Sequence, residues 1–167
     1  MTAPSLQALH AGDADAALPA LVDTLRACVD GGASIGWPTT PSTDVAAAFW
    51  RGCFGALAGG GRDLWVATER PGDLSTVVGT AQLAAASMPN GAHRAEVMKV
   101  MVHSRARRRG VAVALMQQLE RVARSQGRRL LVLDTLSGSA AERLYRRLGY
   151  QVSGLAPDYA ALGDGRA

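Results

Sequence analysis

The junction spanning residues 100–118 constrains the fold most, because an apolar strand-like run gives way there to an amphipathic helix. Val100-Met-Val102 is typical of a strand, Arg107-x-x-Gly110-x-Ala112 interrupts it, and a helix is predicted from about Ala112. The first N–H groups of a helix lack intrahelical partners and carry the positive end of the macrodipole. Gly110 leaves room for an anion, and the arginines at 107–109 add charge. The junction therefore predicts a diphosphate site.

The segment after this junction has the period of a helix with one buried face. Polar residues such as Gln118 and Glu120 alternate with apolar positions at a spacing near 3.6, and Gly127 is a typical helix stop. A surface turn with basic residues would explain the arginines equally well, since a glycine before a helix is common. The predicted apolar face comprises Val111, Leu115, Met116, Leu119, Val122 and Ala123.

This strand, motif and helix resemble the GNAT superfamily of acyl-CoA-dependent N-acetyltransferases, whose motif reads Arg/Gln-x-x-Gly-x-Gly/Ala. Further segments are similar to the tabtoxin resistance protein branch, which acetylates a small β-lactam amino compound. The resemblance covers most of residues 31–166. These segments are Gly31-Gly-Ala-Ser-Ile-Gly36, Leu64-Trp-Val-Ala67, Pro89-Asn-Gly91, Arg94-Ala-Glu-Val97, Leu133-Asp-Thr135 and Asp164-Gly-Arg166.

The pattern of elements indicates one α/β domain over residues 1–167, and a 48% hydrophobic content is sufficient for a core. The resemblance implies a GNAT-type mixed sheet, antiparallel in its N-terminal part and parallel and splayed at its centre, with about four helices. Residues 1–14 are predicted to be a frayed start. The predicted strands are 64–68, 77–86, 95–102, 129–135 and one beginning at 150–153, and the predicted helices lie at 18–29, 42–58, 112–126 and 139–148.

Acetyl-CoA is the cosubstrate that the resemblance implies, lying between two diverging parallel strands. Its pantetheine would pair with the strand ending at Val102, and a backbone N–H near Met101 or Val102 would polarise the acetyl carbonyl. The pyrophosphate would lie on residues 108–113. The expected cofactor-binding residues are Val100, Met101, Val102, Arg107, Arg108, Arg109, Gly110, Val111, Ala112, Val113 and Ala141.

Tyr145 is the predicted general acid. It belongs to Leu144-Tyr-Arg-Arg-Leu-Gly-Tyr150, which is similar to the family segment whose tyrosine faces the departing sulfur. From the residues alone, a core tyrosine on the apolar face of a helix is the competing interpretation.

Glu96 and Asp134 are the candidate general bases, in that order. An alkylamine has a pKa near ~10 and arrives protonated, so a carboxylate must accept its proton directly or through water. Both residues are charged in otherwise apolar strands, where an unpaired charge is costly. The competing interpretations are an ion pair of Glu96 with Arg94 or Lys99, and a loop hydrogen bond from Asp134 to residues 136–139.

The small, partly apolar loop at residues 31–38 is the candidate acceptor site. Such a loop between two helices is most often a connector. Its inclusion in the resemblance makes Ser34, Ile35 and Trp37 the candidates for lining a substrate pocket.

The net charge of +4 and a pI near 9.7, with Lys99 the only lysine among 18 basic residues, indicate an anionic partner. The run Arg105–Arg109 allows nucleic acid, but no recognised RNA, zinc or basic-zipper motif accompanies it. Cys28 and Cys53 lie in apolar helical patterns without metal spacing, so no metal is expected. Without a signal peptide or a long apolar run, we expect no membrane association and a cytoplasmic location.

Two departures from the family pattern affect these expectations. Gly138 stands where the family often has asparagine, which removes a side-chain bond to pantetheine. The chain ends at Ala167, where relatives usually continue into a last strand. An open sheet edge, pairing in a homodimer and a natural truncation are all compatible with that ending.

The leading hypothesis is acetyl transfer from acetyl-CoA to the primary amine of a small antibiotic-like or amino-acid-like molecule, by direct attack in a ternary complex. A peptide or protein N-acetyltransferase is the first alternative. A non-catalytic acyl-CoA-binding module or a basic nucleic-acid-binding protein represents a different class.

Overall fold

The computed structural model describes residues 4–162. Within them, one five-stranded sheet is flanked by four α-helices, joined in places by short 3₁₀ turns. The strands are β1 (Ser5–Leu9), β2 (Arg62–Thr68), β3 (Val77–Ala85), β4 (Arg94–Val102) and β5 (Leu130–Val132). The helices are α1 (Ala14–Asp30), α2 (Thr43–Ala58), α3 (Val111–Ser125) and α4 (Ala140–Arg147).

The sheet is mixed, with strands in the order β1-β2-β3-β4-β5. The first three pairings are antiparallel, and β5 returns through α3 to pair with β4 in parallel. This last pairing covers only the three residues from Arg94 to Glu96, whereas β4 continues to Val102. The α/β class, the mixed sheet, the splayed parallel pair and the four helices are thus confirmed, although β5 lies at the end of the described sheet and not at its centre.

A β-bulge in β4 accompanies this divergence. The register passes from Thr80 opposite Met101 to Gln82 opposite Met98, so Lys99 and Val100 together occupy one position of the ladder. Lys99 adopts φ +50°, a left-handed conformation that is uncommon for a residue with a side chain. The bulge redirects the second half of β4 just where β5 has stopped pairing.

The two faces of the sheet are covered by different helices. On one face α1 and α2 form a core around the fully buried Trp50, whose indole N–H donates to the carbonyl of Leu21 at 3.0 Å. On the other face α3 packs through Leu115, Met116 and Leu119. The contact with α3 is close at Gly79 in β3, where a Cβ would lie 2.7 Å from a methyl of Val111. Gly79 therefore fixes the position of the first turn of α3.

Several sequence predictions about the ends of the chain are wrong. Residues 5–9 are not frayed but form β1, paired along its whole length with β2. The strand predicted at 129–135 is reduced to 130–132, and residues 150–153 form no strand. A single chain's periodicity does not reveal which apolar stretch finds a pairing partner. The predicted Asp164-Gly-Arg166 similarity lies outside the described residues.

Candidate active site

A cleft of about 340 Å³ opens where β4 and β5 diverge. Its walls are the second half of β4, the start of α3, the N-terminal part of α4 with the preceding loop, and the loop after α1. Of the predicted site residues, those lining it are Ser34, Ile35, Val100, Met101, Val102, Arg107, Ala112, Ala141 and Tyr145.

The N-terminus of α3 has the geometry of an anion site. Gly110 is the N-cap residue at φ +78°, and Arg108 precedes it at φ +63°. The first helical hydrogen bond described runs from Ala114 N to the carbonyl of Gly110, which leaves the N–H groups of residues 111–113 available. The first turn contains no acidic residue. Backbone donors and the helix dipole therefore face this end of the cleft with no competing carboxylate.

Arg107, the first residue of the motif, has a second role that its sequence position does not reveal. Its Nε donates to the carbonyl of Val102 at 3.4 Å, and its guanidinium lies against Gly31 at the end of α1. The same Val102 carbonyl accepts from the Cys28 thiol at 3.3 Å, and burial raises the pKa of that thiol. Arg107 thus joins the phosphate loop to the C-terminus of α1, where a cation is favourable.

Tyr145 lies on the cleft face of α4 and is 8% exposed. Burial, with the negative charge of Asp134 as a smaller cause, raises the pKa of its phenol to about 12. Its ring centroid lies 5.9 Å from that of Tyr150, whose own hydroxyl is buried without a partner in the described structure. Tyr145 therefore stays protonated at ordinary pH and offers a proton inside the cleft.

The structure brings the two candidate bases near the cleft without placing either in its wall. Glu96 is exposed and lies opposite Val132, at the last position where β4 pairs with β5. Asp134 is exposed and directly precedes Thr135, which lines the cleft. Neither carboxylate forms an ion pair within residues 4–162, so the proposed bridge from Glu96 to Arg94 or Lys99 is not formed.

The loop after α1 divides between two roles. Ser34 and Ile35 line the cleft, whereas Trp37 lies outside its wall and packs edge-on against Phe49 of α2, with ring centroids 5.0 Å apart. Lys99 approaches this pair and donates from Nζ to the carbonyl of Ile35 at 2.7 Å. Lys99 was not predicted as a site residue, and its place as the only lysine, next to a candidate glutamate in an apolar strand, was the available signal.

Several other predicted residues support the cleft from outside its wall: Arg108, Arg109, Gly110, Val111, Val113 and Trp37. Val111 is buried against β3, whereas Arg108 and Arg109 are exposed beside the start of α3. The sequence prediction missed contributions from α1 and from the loop and first turn of α4, because these depend on how the helices pack. The missed lining residues are Cys28, Gly31, Gly32, Ala33, Thr135, Leu136, Ser139, Ala140 and Leu144.

The start of α4 is fixed by the predicted capping residues. Ser139 Oγ accepts from the N–H of Glu142, and Glu142 in turn accepts from the N–H of Gly138 at 2.6 Å. That bond and the Arg146 guanidinium lower the pKa of Glu142. Gly138 adopts φ +75°, which makes this position a left-handed turn leading into the helix.

Among residues 4–162 there is no group of three or more His, Cys, Asp or Glu side chains arranged to hold a metal ion. In the same range, no helix has the length and hydropathy required to cross a membrane. Both cysteines are free and buried, as predicted.

Solved structures share this fold at low sequence identity. The chain is similar to yncA from Salmonella typhimurium, solved with its cofactor acetyl-CoA, at a TM-score of 0.73 and 23% identity, over 96% of this chain and 86% of that one. It is also similar to a ribosomal-protein-alanine N-acetyltransferase from Brucella melitensis, with a TM-score of 0.73 and 23% identity, over 96% of this chain and 92% of that one. A third similar structure is an aminoglycoside acetyltransferase from an uncultured soil metagenomic sample, with a TM-score of 0.68 and 16% identity, over 96% of this chain and 99% of that one.

A comparison of the sequence with models of protein families identifies the family of this chain. The model of the acetyltransferase (GNAT) family matches residues 18–150, which include both walls of the cleft, the phosphate loop and Tyr145. The splayed strands, the start of α3 and the buried tyrosine thus lie within the part of the chain that matches an acetyltransferase family. The chain belongs to the acetyltransferase (GNAT) family.

Proposed function

We propose that this enzyme transfers the acetyl group of acetyl-CoA to the primary amine of a small amino-acid-like or antibiotic-like molecule, by direct attack in a ternary complex. The observation that carries the proposal is the cleft, because it joins an anion-binding helix start to a protonated tyrosine across the gap between β4 and β5. Holding both reactants in this gap replaces a bimolecular encounter by an attack between neighbours.

The backbone of Val102 is the proposed donor to the acetyl carbonyl. His103 N donates to Val78 O on β3, and consecutive N–H groups of a strand point to opposite sides. Val102 N–H therefore points away from β3, the same side on which the Val102 carbonyl meets Cys28 and Arg107. This alternation favours Val102 over Met101 as the residue that polarises the thioester.

Proton transfer follows from the positions of Tyr145 and the two carboxylates. The ammonium group loses one proton to Asp134 or Glu96, and the neutral amine attacks the carbonyl carbon. As the C–S bond breaks, Tyr145 protonates the departing thiolate of CoA, and the second proton lost by the nitrogen returns to the Tyr145 phenolate through water. The sequence put Glu96 first, but we put Asp134 first, because it directly precedes Thr135 of the cleft wall. Its charge also acts on both Tyr145 and Lys99. Water between the amine and the carboxylate would complete the path, since both carboxylates lie outside the cleft wall.

The size and walls of the cleft support a small acceptor. Ile35 and Tyr145 both line a space of about 340 Å³, which the acceptor would share with the pantetheine arm. The similarity of segments such as Gly31–Gly36 to the tabtoxin resistance branch favours an amino-acid-like acceptor. A peptide acceptor would need the loop after α1 to open away from Tyr145.

The test begins with calorimetric titration by acetyl-CoA, followed by thiol-release assays with a panel of primary amines. We expect 1:1 binding at micromolar Kd and acetylation of small amines with mass spectra gaining one acetyl group. Acetyl-CoA binding without turnover of any amine or peptide would reject the catalytic proposal in favour of an acyl-CoA-binding module. Turnover of peptides at rates far above those of small amines would reject the small-acceptor assignment alone.

A further inference from the structure

Lys99 is a strained and half-buried cation that the proposed reaction does not use. It is the only lysine of the chain and lies at the β4 bulge with φ +50°. A left-handed conformation costs free energy for a residue with a side chain, and such outliers concentrate at functional sites. The bulge turns this side chain toward the loop after α1, on the acceptor side of the cleft.

The surroundings of the Lys99 ammonium are mainly apolar. Its Nζ lies 5.5 Å from the ring centroids of both Trp37 and Phe49 and donates to the Ile35 carbonyl. Gly36, at φ +110°, leaves space for it, since a Cβ there would lie 3.2 Å from Nζ. These contacts orient the amine, but they occupy one hydrogen-bond donor of three with an uncharged acceptor.

No carboxylate compensates this charge directly. Within residues 4–162 no Asp or Glu oxygen lies within 4.0 Å of Nζ. Burial is the largest influence and lowers the pKa of Lys99, whereas Cys53 and Asp134 raise it, Arg62 lowers it and Glu96 raises it by smaller amounts. A half-buried ammonium with spare donors and no anionic partner is costly to keep, and an anionic ligand reduces that cost.

The cleft lies immediately beside this cation. Ile35, whose carbonyl Lys99 holds, lines the cleft, and so does Val100, the next residue of β4. The phosphates of the cosubstrate are expected at the start of α3, beyond Val102. An anion bound at Lys99 would therefore belong to the acceptor and not to the cosubstrate.

We propose that Lys99 determines acceptor specificity by binding a carboxylate, so that the preferred substrates are amino acids carrying both an amine and a free carboxylate. This inference rests on the proposed acetyl transfer and names its substrate class. In the proposed complex, the Lys99 ammonium holds the carboxylate of the substrate against the loop after α1, and the amine of the same substrate points to the thioester.

The kinetic test compares each amino acid of a panel with its carboxamide, which retains the amine and loses the anion. We expect wild type to prefer the acids by about 10-fold to 100-fold in kcat/KM. Lys99→Met should abolish this preference by raising KM for the acids more than for the amides, because any effect of releasing the Ile35 carbonyl falls on both classes. Lys99→Arg should retain most of the preference. If Lys99 only tethered the loop, Lys99→Met would impair acids and amides equally, and the inference would fail.

A second measurement needs no turnover, because lysine labelled with carbon-13 at Cε gives a single side-chain resonance from Lys99. CoA-saturated protein is titrated with the same acids and amides. We expect the acids to cause a saturable change in the chemical shift of the Lys99 resonance and the amides to cause none. If the acids also cause no change, the inference is overturned, even in an inactive protein. Acetylation of amines without carboxylate preference would reject the role of Lys99 while leaving the proposed function intact.

Discussion

The two sides of the cleft are built by different means. On the side proposed for the cosubstrate, the start of α3 and the end of β4 present backbone N–H groups, whose positions depend on main-chain conformation. On the side proposed for the acceptor, the Lys99 side chain meets the Ile35 carbonyl and the Trp37–Phe49 pair, which come from the loop after α1 and from α2. A backbone site tolerates changes of side chain except at glycines. A side-chain site can acquire a new substrate by a few substitutions without disturbing the cosubstrate.

The largest expected effect comes from breaking the backbone side. Gly110→Asp introduces a carboxylate at the start of α3 and strains the left-handed position at φ +78°, so we expect acetyl-CoA affinity to fall at least about 100-fold. Gly110→Asn is the matched control, because asparagine tolerates this conformation without the charge. Calorimetry measures both variants. Equal affinity of the Asp variant and wild type would mean that the phosphates bind elsewhere.

The second largest effect is expected on kcat, from removing the hydroxyl of Tyr145. Tyr145→Phe should lower kcat about 100-fold, because the departing thiolate loses its acid, while acetyl-CoA Kd stays unchanged. Tyr150→Phe is the control, since its hydroxyl has no partner and lies outside the cleft. With its pKa at about 12, Tyr145 should cause no loss of kcat in wild type up to the pH of an alkylamine's own pKa. Equal kcat in Tyr145→Phe and wild type would reject Tyr145 as the acid, whereas a fall of wild-type kcat at lower pH that disappears in Tyr145→Phe would contradict only the raised pKa.

A smaller effect should follow from moving the helix that carries the backbone side. Gly79→Ala places a Cβ 2.7 Å from Val111, and we expect the free energy of unfolding to fall by about 1–3 kcal/mol. Acetyl-CoA affinity should weaken with it, because α3 shifts. Gly55→Ala in α2, where a Cβ meets nothing within 4 Å, should instead stabilise by about 0.5–1 kcal/mol. Urea denaturation compares the two variants, and equal stabilities would show that α3 is not fixed through Gly79.

The smallest expected effect is a pH dependence on the acceptor side. Because burial lowers the pKa of Lys99 in the folded protein below its ordinary 10.5, the unfolded chain binds more protons between the two values. The stability of wild type relative to Lys99→Met should therefore rise as pH increases through the folded pKa toward 10.5. Denaturant titrations over that window measure the difference. A relative stability that decreases with pH would mean that the fold favours the charged amine.

How much the sequence reveals differs between these regions for a physical reason. The motif Arg107-x-x-Gly110-x-Ala112 predicts the anion site, since a glycine and a helix start are local features with local consequences. Three other local predictions are confirmed: the periodicity of α3, the caps of α2 and α4, and the antiparallel hairpin of β2 and β3. Each depends on residues that are close in the sequence. The strands β1 and β5 are misjudged because their existence or length depends on a distant neighbour.

By itself, the sequence determines the α/β class, the phosphate loop, the family and the tyrosine that faces the cleft. Tertiary structure alone decides which helix turns complete the wall, that β4 bulges at Lys99, and that Trp37 packs on Phe49 instead of entering the cleft. Local features are encoded within a few residues, where backbone geometry and hydrogen bonding set them. The acceptor side depends on contacts between segments more than 60 positions apart, such as Lys99 with Ile35, which form only when the whole sheet and its helices have packed.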